Sequence, residues 1–189
     1  RLREIAFLTK GLRITLTDLR EEPAKVRSFH YEGGIKEFVQ YLNRHKTPLY
    51  EKVIYCEGMK NDVMVEVALQ HNDSYNESTY SFVNNIVTPE GGTHLTGFKA
   101  AITKVFNDYA RKNGILKDKD DNLSGDDLRE GLTAVISVKI GNPQFEGQTK
   151  QKLGNSEARP AVEGIVTEQL TYFLEQNPDV AKIIVNKAT

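Results

Sequence analysis

Four polar residues that can carry charge or donate hydrogen bonds are concentrated in one short segment. They are Gln148, Thr149, Lys150 and Lys152, and glycines at 147 and 154 flank them. Two ammonium groups and an amide can donate hydrogen bonds to a phosphate, which is a favoured partner of charged donors. The same residue types also occur in ordinary solvated turns. Composition alone therefore leaves a phosphate contact and a surface turn as alternatives.

The polar segment follows a long apolar stretch. Residues 132–140 form an almost unbroken apolar run that is rich in β-branched side chains, which predicts a strand buried on both faces. Gly141 and Pro143 then end the strand, because neither residue fits the interior of a sheet. A rigid central strand is therefore predicted to hold out a flexible polar tip.

Alternation of apolar and polar residues predicts further strands. Residues 12–16 predict a half-buried strand that pairs with residues 26–31. Residues 53–57, 63–70 and 79–83 predict three more strands, with polar turns between them. Because these three strands are consecutive and closely spaced, we expect them to form an antiparallel meander.

Helical periodicity predicts the remaining elements. Apolar residues recur at helical spacing between 2 and 10, 35 and 42, 93 and 113, 156 and 176, and 181 and 187. Thr93 and Ser156 are predicted N-caps of two of these helices. The pair Gly91 and Gly92 gives the backbone freedom for a sharp strand-to-helix turn before Thr93. This order of elements predicts one α+β domain with a trailing helix.

The composition bounds the class of protein. At 189 residues, with 39% hydrophobic and 27% charged residues, the chain has the size of one ordinary domain. The formal net charge of −1 argues against a protein that grips nucleic acid over its whole surface, and leaves room for a local basic face. No stretch reaches the roughly 18 apolar residues that span a bilayer, so we predict a cytoplasmic protein without membrane contact. Cys56 is the only cysteine, which rules out an intramolecular disulfide.

Other polar residues are predicted to have structural roles. The four histidines are too scattered for a metal site, so no metal ligand is assigned. His94 follows the predicted cap Thr93, and we expect it to make a hydrogen bond at the start of that helix. Asp126 and Asp127 precede Leu-Arg-Glu, which predicts a short capped helical turn rather than a Mg²⁺ site. We expect Arg129 to pair with a nearby carboxylate.

Four parts of the chain are more specific than these general patterns. They are His-Tyr-Glu-Gly-Gly at 30–34, Asn-Asn at 84–85 with Gly-Gly-Thr-His at 91–94, Gly-Asp-Asp-Leu-Arg-Glu-Gly-Leu at 125–132, and Gln-Thr-Lys at 148–150 with Lys-Leu-Gly at 152–154. With them, essentially the whole chain resembles the transducer domain of the gyrase B family of type IIA DNA topoisomerases. The resemblance implies an α+β fold like the second domain of a ribosomal small-subunit protein, with a mixed sheet backed by helices and a left-handed βαβ crossover.

The resemblance also implies a division of the chain. Residues 1–10 would be a helix entering from an ATP-binding domain, residues 11–176 the transducer domain, and residues 177–189 the start of a helix leading to further domains. Both ends lie in helical patterns, so we expect an excised part of a larger polypeptide. Such a part is expected neither to hydrolyse ATP nor to cleave DNA by itself.

In this family the Gln-Thr-Lys loop reaches the terminal phosphate of ATP. The resemblance implies that Lys150 pairs with the γ-phosphate and stabilises the transferring phosphoryl group as a catalytic residue, while Gln148 adds a hydrogen bond. Thr149 would shape the loop, and Lys152 is predicted to be an exposed solubilising charge rather than a second contact. ATP and Mg²⁺ would be bound mainly by the ATP-binding domain. Loss of the γ-phosphate would release a domain rotation that is coupled to DNA capture and strand passage.

Captured DNA implies a positive surface. Lys99, Lys104 and Arg111 lie on or near the exposed side of the helix that follows Thr93 and are the candidates to face DNA. The alternative is that they are ordinary exposed helix residues. The partners implied by the resemblance are double-stranded DNA, the gyrase A protein and a second copy of gyrase B, which would form a homodimer.

Two other functions compete with a gyrase transducer. The same domain occurs in the topoisomerase IV counterpart of gyrase B, and residues 125–132 favour gyrase. A free-standing RNA- or DNA-binding α+β module is a hypothesis of another class. The predicted strands lack the interleaved aromatic and basic residues that such modules use, and the net charge is slightly negative.

Overall fold

The computed structural model describes all 189 residues, which form a central sheet with helices on both faces. The strands are β1 (Arg13–Asp18), β2 (Lys25–His30), β3 (Ile54–Lys60), β4 (Val63–His71), β5 (Ser78–Val83), β6 (Ile86–Val87), β7 (Leu132–Lys139), β8 (Phe145–Glu146) and β9 (Lys152–Leu153). The helices are α1 (Leu2–Leu8), α2 (Ile35–Leu42), α3 (Thr93–Lys112), α4 (Gly125–Arg129), α5 (Ala158–Gln176) and α6 (Pro178–Ala188). None of these helices combines the length and the apolar character that crossing a bilayer requires. The predicted α+β class is confirmed.

Strand β7 lies at the centre of the sheet, as its apolar sequence predicts. The five strands of the sheet are ordered β3-β4-β7-β5-β6, and seven of the eight residues of β7 are buried. β7 runs antiparallel to β4 and parallel to β5. The predicted meander is therefore wrong, because β7 inserts between β4 and β5. A strand at the centre of the sheet is covered on both faces and paired at both edges. Placing the most apolar strand there removes the largest apolar surface from water.

The parallel pairing of β5 with β7 requires a long crossover connection. That connection runs through β6, α3 and α4. It places α3 on the same apolar layer as the side chains of β4 and β7. The βαβ unit within a mixed sheet is thus present, and its left-handed sense stays a prediction.

Two apolar layers hold the helices to the sheet. On one face, α3, α5 and α6 pack against strand side chains such as Val65 and Ile136. On the other face, α1 and α2 cover a smaller cluster that contains Phe7, Phe38 and Phe82. Complete burial of each of these side chains contributes about 1.5–3 kcal/mol. The sheet is therefore a stiff platform, and the chain leaves it at the end of β7 directly before the polar tip.

The β1–β2 hairpin differs from the predicted half-buried strand. The two strands pair along their whole length, but Leu16 and Val26 are 49% and 61% exposed. Leu19 in the turn is 82% exposed. Leu16 lies opposite Arg27 and Val26 lies opposite Thr17, so these two apolar side chains are on opposite faces of the hairpin. Alternation does not reveal whether another element covers either face.

Strand β3 forms one edge of the sheet, and a side chain occupies part of that edge. The backbone N–H of Glu57 donates a hydrogen bond to Oε1 of Gln169 on α5 at 2.9 Å. The Nε2 group of Gln169 donates in return to the carbonyl oxygen of Glu57. The Gln169 carboxamide thus makes the two bonds that a neighbouring strand would make at this residue.

Two buried histidines are held as neutral rings. Nδ1 of His71 accepts a hydrogen bond from the Tyr50 hydroxyl at 2.9 Å, and Nε2 donates to the carbonyl oxygen of Leu128 at 2.9 Å. Nε2 of His94 lies 3.2 Å from Oγ1 of Thr88, so the predicted structural hydrogen bond at the start of α3 is confirmed. Burial lowers the pKa of His71 and that of His94 to about 4.

Candidate functional site: the Gln-Thr-Lys hairpin and helix α3

The Gln-Thr-Lys segment forms the tip of the β8–β9 hairpin, which follows the central strand β7. Gln148, Thr149 and Lys150 are all exposed, and no hydrogen bond or ion pair joins their side chains to the rest of the chain. Lys150 has a backbone φ of +56°, so the chain turns sharply at this residue before it enters β9. The tip therefore presents one ammonium group and one amide to an external acceptor.

Lys152 is positioned differently from Lys150. It lies opposite Glu146 in the β8–β9 ladder, and its Nζ is 3.1 Å from Oε2 of Glu146. Both side chains are about half exposed, and an ion pair of this kind contributes roughly 0–1 kcal/mol. Its charge is balanced within the hairpin, which supports the prediction that Lys152 is a surface charge.

Asn155 anchors the base of the hairpin. This buried side chain accepts a hydrogen bond from the backbone N–H of Gln144, and its Nδ2 donates to the carbonyl oxygen of Asn142 at 3.1 Å and to Oε1 of Glu157 at 2.7 Å. The adjacent N–H of Gly154 donates to the carbonyl oxygen of Gln144 at 2.7 Å. The two ends of the hairpin are therefore tied together next to the first residues of α5.

The glycine turn before α3 lies directly against β9. The N–H of Leu153 donates to the carbonyl oxygen of Gly91 at 3.0 Å, and the N–H of Glu90 donates to the carbonyl oxygen of Gln151 at 3.0 Å. Gly92 has φ +138° and ψ −164°, a conformation that is essentially restricted to glycine. A Cβ atom on Gly92 would lie 2.5 Å from the backbone N and O of Leu153. The predicted sharp turn is confirmed. Gly92 is required there because β9 lies too close to leave room for a side chain.

The predicted N-cap at Thr93 is wrong. Helix α3 begins at Thr93, and its N-cap is Gly92. The hydroxyl of Thr93 donates instead to the backbone carbonyl oxygen of Asn155 at 2.6 Å. Ser156 is likewise not the cap of α5, which begins at Ala158 after Glu157. The Thr93 hydroxyl thus donates to a residue distant in sequence, and this bond connects α3 to the segment that follows the hairpin.

Two of the predicted DNA-facing residues lie together on α3. Lys99 and Lys104 line a shallow cleft of about 540 Å³, and Asp108 and Arg129 are among its other lining residues. Lys104 is exposed and Lys99 is half-buried. The cleft brings cations from α3 and α4 close together, with one carboxylate among them.

Arg111 does not line this cleft, and its guanidinium is hydrogen-bonded to the loop after α3. Its guanidinium donates to Oδ1 of Asn122 at 2.7 and 2.9 Å, and to the carbonyl oxygens of Lys117 and Asp120 at 3.0 and 2.9 Å. These bonds close the charged loop that follows α3. A DNA contact by Arg111 stays a prediction, and such a contact would compete with the loop for the same donors.

The acidic pair at 126–127 forms the short capped turn that the sequence predicts. The hydroxyl of Ser124 accepts a hydrogen bond from the N–H of Asp127 at 3.0 Å, and the turn is helix α4. Arg129 pairs with Asp126 at 2.8 Å, as expected, and also with Glu77 at 2.7 Å. The carboxylates are therefore engaged in capping and ion pairs that hold α4.

Comparison with known proteins assigns the family. A sequence model of the family described as DNA gyrase B matches residues 34–189. The chain belongs to the DNA gyrase B family. DNA gyrase B of Clostridium acetobutylicum is 57% identical over 189 residues, which are 100% of this chain and 29% of that protein. DNA gyrase B of Bacillus mycoides is 56% identical over the same length, which is 46% of that protein. The chain thus spans less than half the length of these relatives.

Solved structures give the same fold. The 43K ATPase domain of Thermus thermophilus gyrase B, in complex with an aminocoumarin, superposes with a TM-score of 0.89 at 43% identity, over 99% of this chain and 50% of that one. The ATP-binding domain of Francisella tularensis topoisomerase IV superposes with a TM-score of 0.81 at 33% identity, over 99% of this chain and 50% of that one. The predicted membership of the gyrase B family is confirmed, and topoisomerase IV is a neighbour in fold.

Sequence reasoning identified the tip of the hairpin but missed the residue that anchors it. Asn155 is part of a Gly-Asn-Ser turn signal, which predicts a loop but not a buried carboxamide with three partners. The role of Thr93 in joining α3 to Asn155 was missed for a related reason. That contact links residues about 60 positions apart, and local patterns do not report such distances.

Proposed function

We propose that this chain is the transducer domain of a gyrase B protein, in which the Gln-Thr-Lys tip senses the γ-phosphate of ATP. The observation that carries the proposal is that the tip is exposed and its side chains have no partner, while the base of the same hairpin is held by hydrogen bonds. Gln148 and Lys150 have no partner in the chain, while Asn155 and the Gly91–Gly92 turn hold the strands behind them. A sensor needs both free donors and a rigid support.

The donors at the tip fit a phosphate. A Lys150 ammonium group and a Gln148 amide supply one charged and one neutral donor, and phosphate oxygens are acceptors for both. A charge-assisted hydrogen bond contributes about 1.5–3 kcal/mol. That is a factor of about ten to a hundred in an equilibrium between two domain orientations, and the bias ends when the γ-phosphate is lost. Lys150 also places positive charge where it stabilises the transferring phosphoryl group, and it is the proposed catalytic residue of this chain.

The nucleotide itself belongs to another part of the protein in this proposal. ATP and Mg²⁺ are held mainly by an ATP-binding domain that precedes residues 1–10, and this chain alone is inactive. Residues 11–176 transmit the phosphate contact, and residues 177–189 continue toward further domains. Mg²⁺ bound in the ATP-binding domain would neutralise charge on the phosphates, while this chain would supply only Gln148 and Lys150.

DNA contact is assigned to α3. Lys99 and Lys104 share one cleft on this helix, and two neighbouring cations lower the cost of enclosing a duplex between two copies of the protein. Arg111 is a weaker candidate because its guanidinium already holds the loop after α3. Double-stranded DNA, the gyrase A protein and a second gyrase B are the proposed partners. The same domain of topoisomerase IV is the second candidate, because the fold serves both.

The proposal is tested by ATP turnover of the complete protein with Lys150→Ala. We expect kcat to fall by about ten- to a hundredfold, with little change in KM, because the lost bond contributes about 1.5–3 kcal/mol to the phosphate interaction. Lys152→Ala is the matched control, since this lysine lies two residues away and is ion-paired to Glu146. Equal turnover in wild type and Lys150→Ala would show that the tip is an ordinary surface turn.

A further inference from the structure

Asn155 is the point at which the hairpin, α3 and α5 meet. Its side chain is 3% exposed and bonds to Gln144 and Asn142 on the β8 side of the hairpin. Its backbone carbonyl oxygen accepts the hydroxyl of Thr93, the first residue of α3, at 2.6 Å. The same side chain donates to Oε1 of Glu157 at the start of α5. One residue therefore fixes the hairpin relative to two helices of the main layer.

The hairpin's own strand pairing is short. Its ladder consists of only two residue pairs, Phe145 with Leu153 and Glu146 with Lys152. A two-stranded hairpin of this length is not stable by itself in water. Its orientation is therefore set by contacts outside the ladder. These are the bonds of Asn155, the backbone bonds of Leu153 and Gln151 to the segment around the glycine turn, and the packing of Leu153 and Phe145 on the core.

We propose that Asn155 is a positioning residue for Lys150: it holds the Gln-Thr-Lys tip at a fixed place relative to the start of α3, so that the ammonium group is presented to a phosphate. This inference rests on the function proposed above. Asn155 touches no substrate and acts through the hairpin. The apparent strength of the phosphate contact of Lys150 is proportional to the fraction of molecules in which the hairpin holds Lys150 in the correct place.

The test compares the complete wild-type protein with Asn155→Ala, Asn155→Asp and Lys150→Ala variants, with ATP turnover and DNA-stimulated turnover as readouts. Asn155→Ala removes three side-chain hydrogen bonds, and we expect kcat to fall roughly five- to thirtyfold with little change in KM. Asn155→Asp keeps the volume and the acceptor for Gln144. Its second oxygen meets two acceptors, the Asn142 carbonyl and the Glu157 carboxylate, so it is expected to lower kcat as well.

A double variant distinguishes positioning from general damage. If Asn155 acts through Lys150, then Asn155→Ala has no further effect on turnover in a Lys150→Ala background, because the group it positions is already absent. A residue with a purely structural role would lower turnover by the same factor in both backgrounds. Asn113→Ala, at the exposed C-cap of α3, is the matched asparagine control and should leave kcat unchanged.

The outcomes separate this inference from the function on which it rests. Wild-type turnover of Lys150→Ala refutes the proposed function. A large loss with Lys150→Ala but less than a twofold loss with Asn155→Asp leaves the proposed function intact and refutes the role of Asn155. Equal losses from Asn155→Ala in both backgrounds refute it also. If Asn155→Ala does not fold, the Asn155→Asp variant carries the double-variant test.

Discussion

Replacement of Gly92 by alanine tests the contact between the glycine turn and the hairpin. The added Cβ would lie 2.5 Å from the backbone N and O of Leu153 and 2.7 Å from its Cβ, well inside the 3.4–4 Å of ordinary contact. Backbone atoms of a paired strand do not move aside as a flexible side chain does. Gly92→Ala should therefore push β9 away from the start of α3.

The expected loss of stability has two parts. The conformation of Gly92, at φ +138° and ψ −164°, costs about 1–3 kcal/mol for a residue other than glycine. Overpacking against Leu153 adds about 1–3 kcal/mol. Gly114 offers a matched control, because it has φ +72° and no atom within 4 Å of its added Cβ. Gly114→Ala should cost only about 1–2 kcal/mol for the left-handed backbone.

Urea unfolding of the two variants and the wild type measures these costs. We expect Gly92→Ala, which costs about 2–6 kcal/mol, to be less stable than Gly114→Ala, which costs about 1–2 kcal/mol, by about 1–4 kcal/mol. The effect should appear as a lower denaturation midpoint with an unchanged slope, since the unfolded chain is the same. Equal stability of the two alanine variants would refute the inference that β9 is held directly against the glycine turn.

Two further predictions concern the pH dependence of stability and the binding of DNA. Because burial lowers the pKa of His71 and His94 from 6.5 to about 4, both rings stay neutral in the folded state while the unfolded chain takes up protons below pH 6.5. Stability should therefore fall by up to about 1.4 kcal/mol per pH unit for each ring as the pH drops from about 6.5 toward 4, and an NMR titration midpoint near 6.5 in the folded protein would contradict this. Lys99→Ala with Lys104→Ala should weaken DNA binding to the complete protein and lower its salt dependence by up to about two units of slope. Lys182→Ala, on the exposed side of α6, is the control and should change neither.

Much of the architecture was predictable because local patterns determined it. The apolar run at 132–140 predicted a central strand, and the stripe on α3 predicted the helix that covers it. The order of the sheet was not predictable in the same way. Closely spaced strands usually pair with their neighbours, and here β7 displaces β5 from β4 although nearly 50 residues separate β5 from β7.

The candidate site was predictable in part. The residue types at 148–150 pointed to a phosphate, and a family resemblance made that alternative stronger than a surface turn. The support behind the tip was not visible in the sequence, because Thr93 was expected to cap its own helix. In the structure its hydroxyl bonds to Asn155 instead. Gly92 occupies the N-cap position, so Thr93 is the first helical residue and its hydroxyl is free to donate to a distant carbonyl oxygen. Only the folded chain shows which acceptor is near.

The two bonds between the Gln169 amide and strand β3 have a consequence for self-association. An open sheet edge offers unpaired donors and acceptors onto which a second chain can add as a further strand. At Glu57 both backbone groups already have partners in the Gln169 carboxamide. An incoming strand would have to break those two bonds before it gained its own, so the middle of this edge is protected against growth into ordered aggregates.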